Sequence, residues 1–240
     1  MTALDICNLT VRYGGVVPID DVTLQVDGGA WGLIGPNGAG KTTFFNVLSG
    51  FAQPVRGSIR AFSEDLLAMR PHRRARWGLR RTFQTEQAIR ELSVWDNVLI
   101  GLEHSDGHRH RRDEVDRSLD FVGLTADART RVAALDMYQR RLVELARAVV
   151  GQPRLVLLDE PAAGLPSDET DSIGRLISAI PDAFGATVIM VDHDMALVSR
   201  CCRQIAVLDF GKLIACGPTE RVLSDPHVVA AYLGDSEAVS

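Results

Sequence analysis

Apolar and polar positions alternate over residues 3–12 (ALDICNLTVR) and 16–27 (VVPIDDVTLQVD), the period-two pattern of strands with one buried face. WGLIG at 31–35 is a short unbroken apolar run, which predicts a buried strand leading into GPNGAGKTT. A helix is predicted over TTFFNVLSG, ended by Gly50. GSIRAF (57–62) reads as a further strand, and residues 64–130, richer in charge, read as mostly helical. RLVLLDE (154–160) and ATVIMVD (186–192) are apolar and too short and β-branched for free helices, so they read as buried strands. QIAVLDFGKLIACG (204–217) reads as a hairpin turning near Gly211, and the tail from 218 as helical with a frayed SEAVS end.

Strand, loop and helix come first, then a helical block, then strands alternating with helices. That order predicts an α/β fold with a mainly parallel sheet covered by helices and an antiparallel piece from the N-terminal strands. A chain of 240 residues suits one such domain or a core with a small subdomain. Neither an internal repeat nor a low-complexity linker interrupts it.

Composition narrows the classes. A hydrophobic fraction of 46% is ample for a packed core. Net charge is −5, so the chain as a whole is no polyanion binder. No apolar run reaches the roughly 18 residues that span a bilayer, and no leader-like segment precedes the first strand. A cytosolic chain whose membrane role runs through a partner is the expectation. Cys7, Cys201, Cys202 and Cys216 lack metal-ligand spacing and read as reduced structural thiols. Lys41 and Lys212 are the only lysines among 26 basic residues, so Lys41 is no chance member of a lysine-rich surface.

The strongest chemical signal is Gly35-Pro36-Asn37-Gly38-Ala39-Gly40-Lys41-Thr42, followed by Thr43. It fits G-x-x-x-x-G-K-[ST] and lies between a predicted strand and a predicted helix. Glycines let backbone amides turn in on phosphate oxygens, and the helix adds its positive N-terminal end. Lys41 is expected on the β- and γ-phosphates, and Thr42 offers a hydroxyl to Mg²⁺. Leu155-Val156-Leu157-Leu158-Asp159-Glu160 supplies the matching part. Asp159 leaves a buried strand to hold Mg²⁺, and Glu160 can polarise an attacking water. His193, in VDHD, follows the next apolar strand, where it either contacts the γ-phosphate or is structural.

These residues resemble the ATP-binding subunits of ABC transporters over nearly the whole chain. The resemblance implies Tyr13 of VRYGG as the aromatic stacked on adenine and Gln84 of RTFQ as a Mg²⁺ contact coupled to the membrane domains. It makes Glu160 the catalytic glutamate and His193 of VDHDM the switch histidine. RTFQ, ELSVWDNVLIG, EPAAGL, HDMALV and AAYLG are similar to the LivG-type ATPases of branched-chain amino acid importers. The fold implied is a P-loop NTPase of ABC type, with a nucleotide-binding core over about residues 1–84 and 151–240 and a helical subdomain over about 85–150. The cofactors implied are ATP and Mg²⁺. The partners implied are a second ABC ATPase subunit and two permeases, with an external solute-binding protein acting indirectly, at the cytoplasmic face of the cell membrane. Two other functions stay open: an ABC-type ATPase acting on a non-transport target, and a nucleotide-binding regulatory subunit that does not turn over.

One segment departs from the family. Where LSGGQ is usual, this chain has Leu135-Asp136-Met137-Tyr138-Gln139. Leu135 and Gln139 match, Asp136 replaces Ser, and Met137 and Tyr138 replace the glycines. Asp-x-x-Gln is itself a capping box, so the helix that follows should form well, with Leu142, Leu145, Ala146 and Val149 as its apolar stripe. The resemblance gives this motif the γ-phosphate held by the other subunit, a task for which Asp136 is poorly suited. The expectation is a heterodimer with one competent and one degenerate site.

Three stretches allow a bland reading beside a sharp one. RPHRRARWGLRR (70–81) has six arginines in twelve residues and reads as a solvated approach to Gln84 rather than a nucleic-acid patch. HSDGHRHRRDE (104–114), with His104, His108 and His110, reads as a loop rather than a metal site. ELSVWDNVLIG (91–101) is either core of the helical subdomain or, by resemblance, the face met by a permease.

Overall fold

The computed structural model describes residues 2–102 and 108–233. In chain order it begins with β1 (Thr2–Tyr13), β2 (Val16–Asp27), β3 (Ala30–Ile34), α1 (Lys41–Ser49), β4 (Arg56–Ala61) and β5 (Glu64–Asp65). There follow α2 (Pro71–Trp77), β6 (Leu79–Arg81), α3 (Val94–Ile100), α4 (His108–Val122), a 3-10 turn (Val132–Ala134) and α5 (Met137–Val149). The chain continues with β7 (Leu155–Asp159), α6 (Ser167–Phe184), β8 (Thr187–Val191) and α7 (Met195–Cys201). It ends its described part with β9 (Gln204–Asp209), β10 (Lys212–Pro218), α8 (Thr219–Leu223) and α9 (Pro226–Leu233). Two compact units emerge, residues 1–74 with 189–240, and residues 75–188.

In the first unit β1 and β2 pair antiparallel, with Leu4 opposite Val26, and β4 and β5 extend the sheet to the order β2-β1-β4-β5. The alternation of the sequence becomes a buried face: Leu4, Ile6, Leu9, Ile19 and Ile59 are fully buried, as are Phe44 and Phe45 of α1. β9 runs parallel to β3 and turns at Phe210–Gly211 into antiparallel β10, the hairpin read from the sequence. Gly50 ends α1 in the left-handed conformation.

The arginine-rich stretch is not uniformly solvated. Arg70, Arg73 and Arg76 are exposed, but Arg74 is fully buried. Its guanidinium donates to Val47 O at 2.5 Å and Leu48 O at 2.7 Å, and its Nε to Met69 O at 2.9 Å. A cationic fork here adds a second donor to Val47 O, which also accepts from Gly50 N–H, and supplies one to Leu48 O, so Arg74 reinforces the C-terminal end of α1 from another helix.

In the second unit β6 runs parallel to β7, from Leu79 opposite Leu155 to Arg81 opposite Leu157. This strand lies inside the stretch read as mostly helical. Its three residues, Leu-Arg-Arg, carry too little apolar pattern to announce a strand, and pairing with β7 is what makes them one. Residues 82–92 and 124–131 are also largely without helix. α3, α4 and α5 pack on one another. The buried face of α5 is wider than the predicted stripe and includes Val143 and Glu144. α4 starts at His108, so the second part of HSDGHRHRRDE is helix rather than loop, while His104 lies outside the described residues. The SEAVS end also lies outside them. β8 begins in this unit and ends in the first.

Candidate functional site

In the first unit, residues 35–43 turn from β3 into α1 as the motif requires. Two glycines are forced by space. Gly35 has φ 153°, and a Cβ there would stand 2.1 Å from Leu208 O; Gly40 has φ 105°, and its Cβ would stand 2.2 Å from Pro18 O. Lys41 Nζ folds over the loop and donates to Gly35 O at 2.6 Å and Pro36 O at 2.9 Å. No side chain caps the N-terminus of α1, which begins at Lys41, and Thr42 is exposed beside it. Asn37 and Gly38 are exposed at the loop tip, Ala39 is buried, and Gly211 N–H ties the loop to β10's turn by donating to Ala39 O at 3.1 Å. A helix N-terminus without a side-chain cap, a cation held at its mouth and a glycine-lined turn make an anion cradle.

Tyr13 ends β1 half exposed, as an aromatic open to a flat ligand must be. His193 follows β8, also exposed, with Nδ1 3.8 Å from Asp192 Oδ1. Asp192 is buried and accepts from Asp194 N at 2.9 Å, and Asp194 in turn caps α7 through Ala196 N and Leu197 N. His193 is thus carried on a turn bonded on both sides.

In the second unit, Asp159 closes β7 and Glu160 follows it with φ 48°, a left-handed conformation unusual for a residue with a side chain. Such a residue costs about 1–3 kcal/mol and persists where its surroundings over-determine it. Those surroundings come from 81–84. Arg81 Nη2 lies 3.3 Å from Asp159 Oδ2, both side chains being nearly buried. Thr82 Oγ1 accepts from Asp159 N at 3.0 Å, and Gln84 Nε2 donates to Glu160 Oε2 at 3.2 Å. RTFQ therefore holds both acids at once. Burial pulls the Arg81 guanidinium below its ordinary value, and the Asp159 charge partly restores it. Arg81 also lies over the Phe83 ring, 4.8 Å from its centroid. The sequence pointed to Gln84 but not to Arg81 or Thr82, because their role depends on the parallel register of β6 against β7.

The capping box is present in full. Gln139 N–H donates to Asp136 Oδ1 at 2.8 Å, and Asp136 N–H to Gln139 Oε1 at 3.2 Å. Leu135 is buried, Asp136 and Met137 are exposed, and Tyr138 and Gln139 are half-buried. A Cβ at Gly164 would stand 3.5 Å from Met137 Cε, so Met137 lies over the segment that follows Glu160. Arg141 reaches the same segment, donating to Ala163 O at 3.2 Å.

The chain matches the ABC transporter family model over residues 19–163, and the model of the branched-chain amino acid ATP-binding cassette transporter over residues 212–238. It is 36% identical to the high-affinity branched-chain amino acid transport ATP-binding protein BraF of Pseudomonas aeruginosa, covering 97% of this chain and 98% of that one. It is 35% identical to LivG of Escherichia coli, of the same description, over 97% and 98% of the two chains. It is 39% identical to the lipopolysaccharide export system ATP-binding protein LptB of Acidithiobacillus ferridurans, over 95% of each. Among solved structures, an ATP-binding cassette of an ABC transporter in its ADP conformation superposes with TM-score 0.88 at 27% identity, covering 98% of this chain and 99% of that one. The mostly parallel sheet, the N-terminal antiparallel sheet and the helical region are those of the ABC ATPase fold. With cradle, acids and likeness in agreement, this chain belongs to the ABC transporter ATP-binding proteins, an ATPase related to LivG and BraF.

Proposed function

We propose that the chain binds and hydrolyses ATP to drive a membrane importer of branched-chain amino acids or a related small polar solute. The observation that carries the solute class is the match of residues 212–238 to the branched-chain model, beside full-length likeness to BraF and LivG. Tyr13 stacks on adenine. The amides of 35–43 and Lys41 take the phosphates. Glu160 polarises the attacking water, held in its strained conformation by Gln84, and His193 reports the γ-phosphate. The residues that the family resemblance assigns to Mg²⁺ have the chemistry for it: in the second unit the Asp159 carboxylate, already placed against a cation in Arg81, and the Gln84 carbonyl oxygen, and in the first the Thr42 hydroxyl, are each hard oxygen ligands. When bound, Mg²⁺ would neutralise charge on the phosphates.

Among the described residues no helix is long and apolar enough to cross a membrane. In this reading, attachment to the cytoplasmic face of the cell membrane runs through two permease subunits, with an external solute-binding protein upstream.

The signature segment supports an unequal pair of ATPase subunits. Asp136 already accepts a first-turn amide that a phosphate would need. Facing a phosphate charge at about 5 Å in a closed interface, it would cost about 3 kcal/mol at an effective dielectric near 20. Met137 fills the space a glycine would leave open. The competent site is then this chain's own cradle and Glu160, completed by a companion's signature helix.

Identity to LptB favours a second reading, an export ATPase. Turnover of the complex purified with its membrane subunits and reconstituted in vesicles separates the two. Stimulation by a branched-chain amino acid with its binding protein supports import. Stimulation by lipopolysaccharide alone supports export.

A further inference from the structure

Residues 86–89 have no regular secondary structure, yet side chains hold the backbone of alternate residues on both sides. Gln87 N–H donates to Glu144 Oε1 at 2.6 Å, and Arg147 Nη1 donates to Gln87 O at 2.6 Å. Two residues on, Ile89 N–H donates to Asn97 Oδ1 at 2.7 Å, and Asn97 Nδ2 donates to Ile89 O at 2.9 Å and Ser93 O at 3.0 Å. Arg140 pairs with Glu86 at 3.1 Å. Backbone groups that a neighbouring strand would ordinarily satisfy are satisfied here by side chains of α3 and α5.

Glu144 is the informative member. It is buried among Leu142, Val143, Leu145 and Ala146, where an apolar residue would continue the stripe of α5. Burial pushes its carboxyl above the ordinary range, against the pull of the Gln87 amide and of Arg141, whose Nη1 is 3.7 Å away. A buried carboxylate in a helix's apolar face is costly, and packing gives no reason for it. What it holds does. Three residues before Gln87, Gln84 reaches Glu160, and one small cleft is bordered by Glu144 and Arg141 on one side and Asp159 and Thr82 on the other.

We propose that Glu144, Arg147 and Asn97 form a latch that fixes the course of residues 86–90 and so sets Gln84 at Glu160. Glu144 is a positioning residue: it touches no reacting atom, and it ties the signature helix and α3 to the segment carrying Gln84. A displacement of either helix reaches Glu160 through this latch. The inference rests on the reading of Glu160 as the residue that polarises water.

Hydrogen exchange of the full chain tests it. In the unaltered protein the peptide over residues 85–90 should be protected although it lacks regular structure. Glu144→Ala should raise its exchange about tenfold or more while peptides of β7 and β1 stay within about twofold. Glu144→Gln, whose carboxamide oxygen can accept from Gln87 N–H, should stay near the parent, and Asn97→Ala repeats the loosening should Glu144→Ala fail to fold. In the complex with membrane subunits, Glu144→Ala should lower kcat about fivefold or more with KM for ATP within about twofold, and Glu144→Gln should restore it. Unchanged exchange over 85–90 in Glu144→Ala, or a rise spread evenly over the chain in both Glu144→Ala and Asn97→Ala, overturns the latch. Full turnover in Glu160→Gln would overturn the reading of Glu160 instead, leaving the exchange result to decide the latch.

Discussion

Glu160 combines a left-handed backbone with a hydrogen bond from Gln84, and Gly40 combines a left-handed backbone with a carbonyl where a Cβ would go. Each makes a sharp expectation for one side chain. In Gly40→Ala the methyl would meet Pro18 O, so the loop must move; nucleotide affinity measured with a fluorescent ADP analogue should fall by about tenfold or more. Lys41→Ala should lose affinity too, but with the fold's melting temperature nearly unchanged, because Lys41 is half-exposed and its ammonium bonds carbonyls of its own loop, Gly35 O and Pro36 O. Motifs were legible from sequence where the chemistry is local: the phosphate loop, the Asp159–Glu160 pair and the Asp136–Gln139 box are each confined to a few consecutive positions. Arg81 and Thr82 were not, since their grip on Asp159 spans almost eighty positions and depends on a three-residue strand.

Among the elements, the strands with unbroken apolar runs, β3, β7 and β8, and the hairpin β9–β10 could be read directly. β6 could not, because Leu-Arg-Arg has no period. Arg74 was read with its exposed neighbours, because charge composition does not distinguish an arginine that caps a helix from one in water. Arg74→Ala should remove the side-chain donors to Leu48 O, Met69 O and Val47 O, the last keeping its Gly50 amide, and destabilise the protein by about 1–3 kcal/mol in urea unfolding. Arg73→Ala, at an exposed position, should change little. For α5, the raised Glu144 carboxyl fixes the sign of a pH effect. A carboxyl harder to ionise when folded contributes stability that is present below the unfolded glutamate range and lost as pH rises through the folded value. The parent should therefore lose stability relative to Glu144→Gln as pH rises through and above the ordinary glutamate range, and the two should converge below it.

At the scale of the whole molecule, the family and fold follow from motifs that the sequence spells out, while the proposed solute class rests on the carboxy-terminal match and the relatives rather than on the site. The capped, glycine-free signature segment predicts that the chain alone turns over ATP slowly and that a companion ATPase restores the rate. The most direct test of the account places Glu160→Gln in this subunit of the complete transporter and measures steady-state ATP hydrolysis beside nucleotide binding. The account predicts a fall in kcat of about a hundredfold or more with binding within a few-fold of the parent, and little loss when the corresponding glutamate of the companion is changed instead. Retained turnover in Glu160→Gln, with hydrolysis lost only on changing the companion, would contradict it.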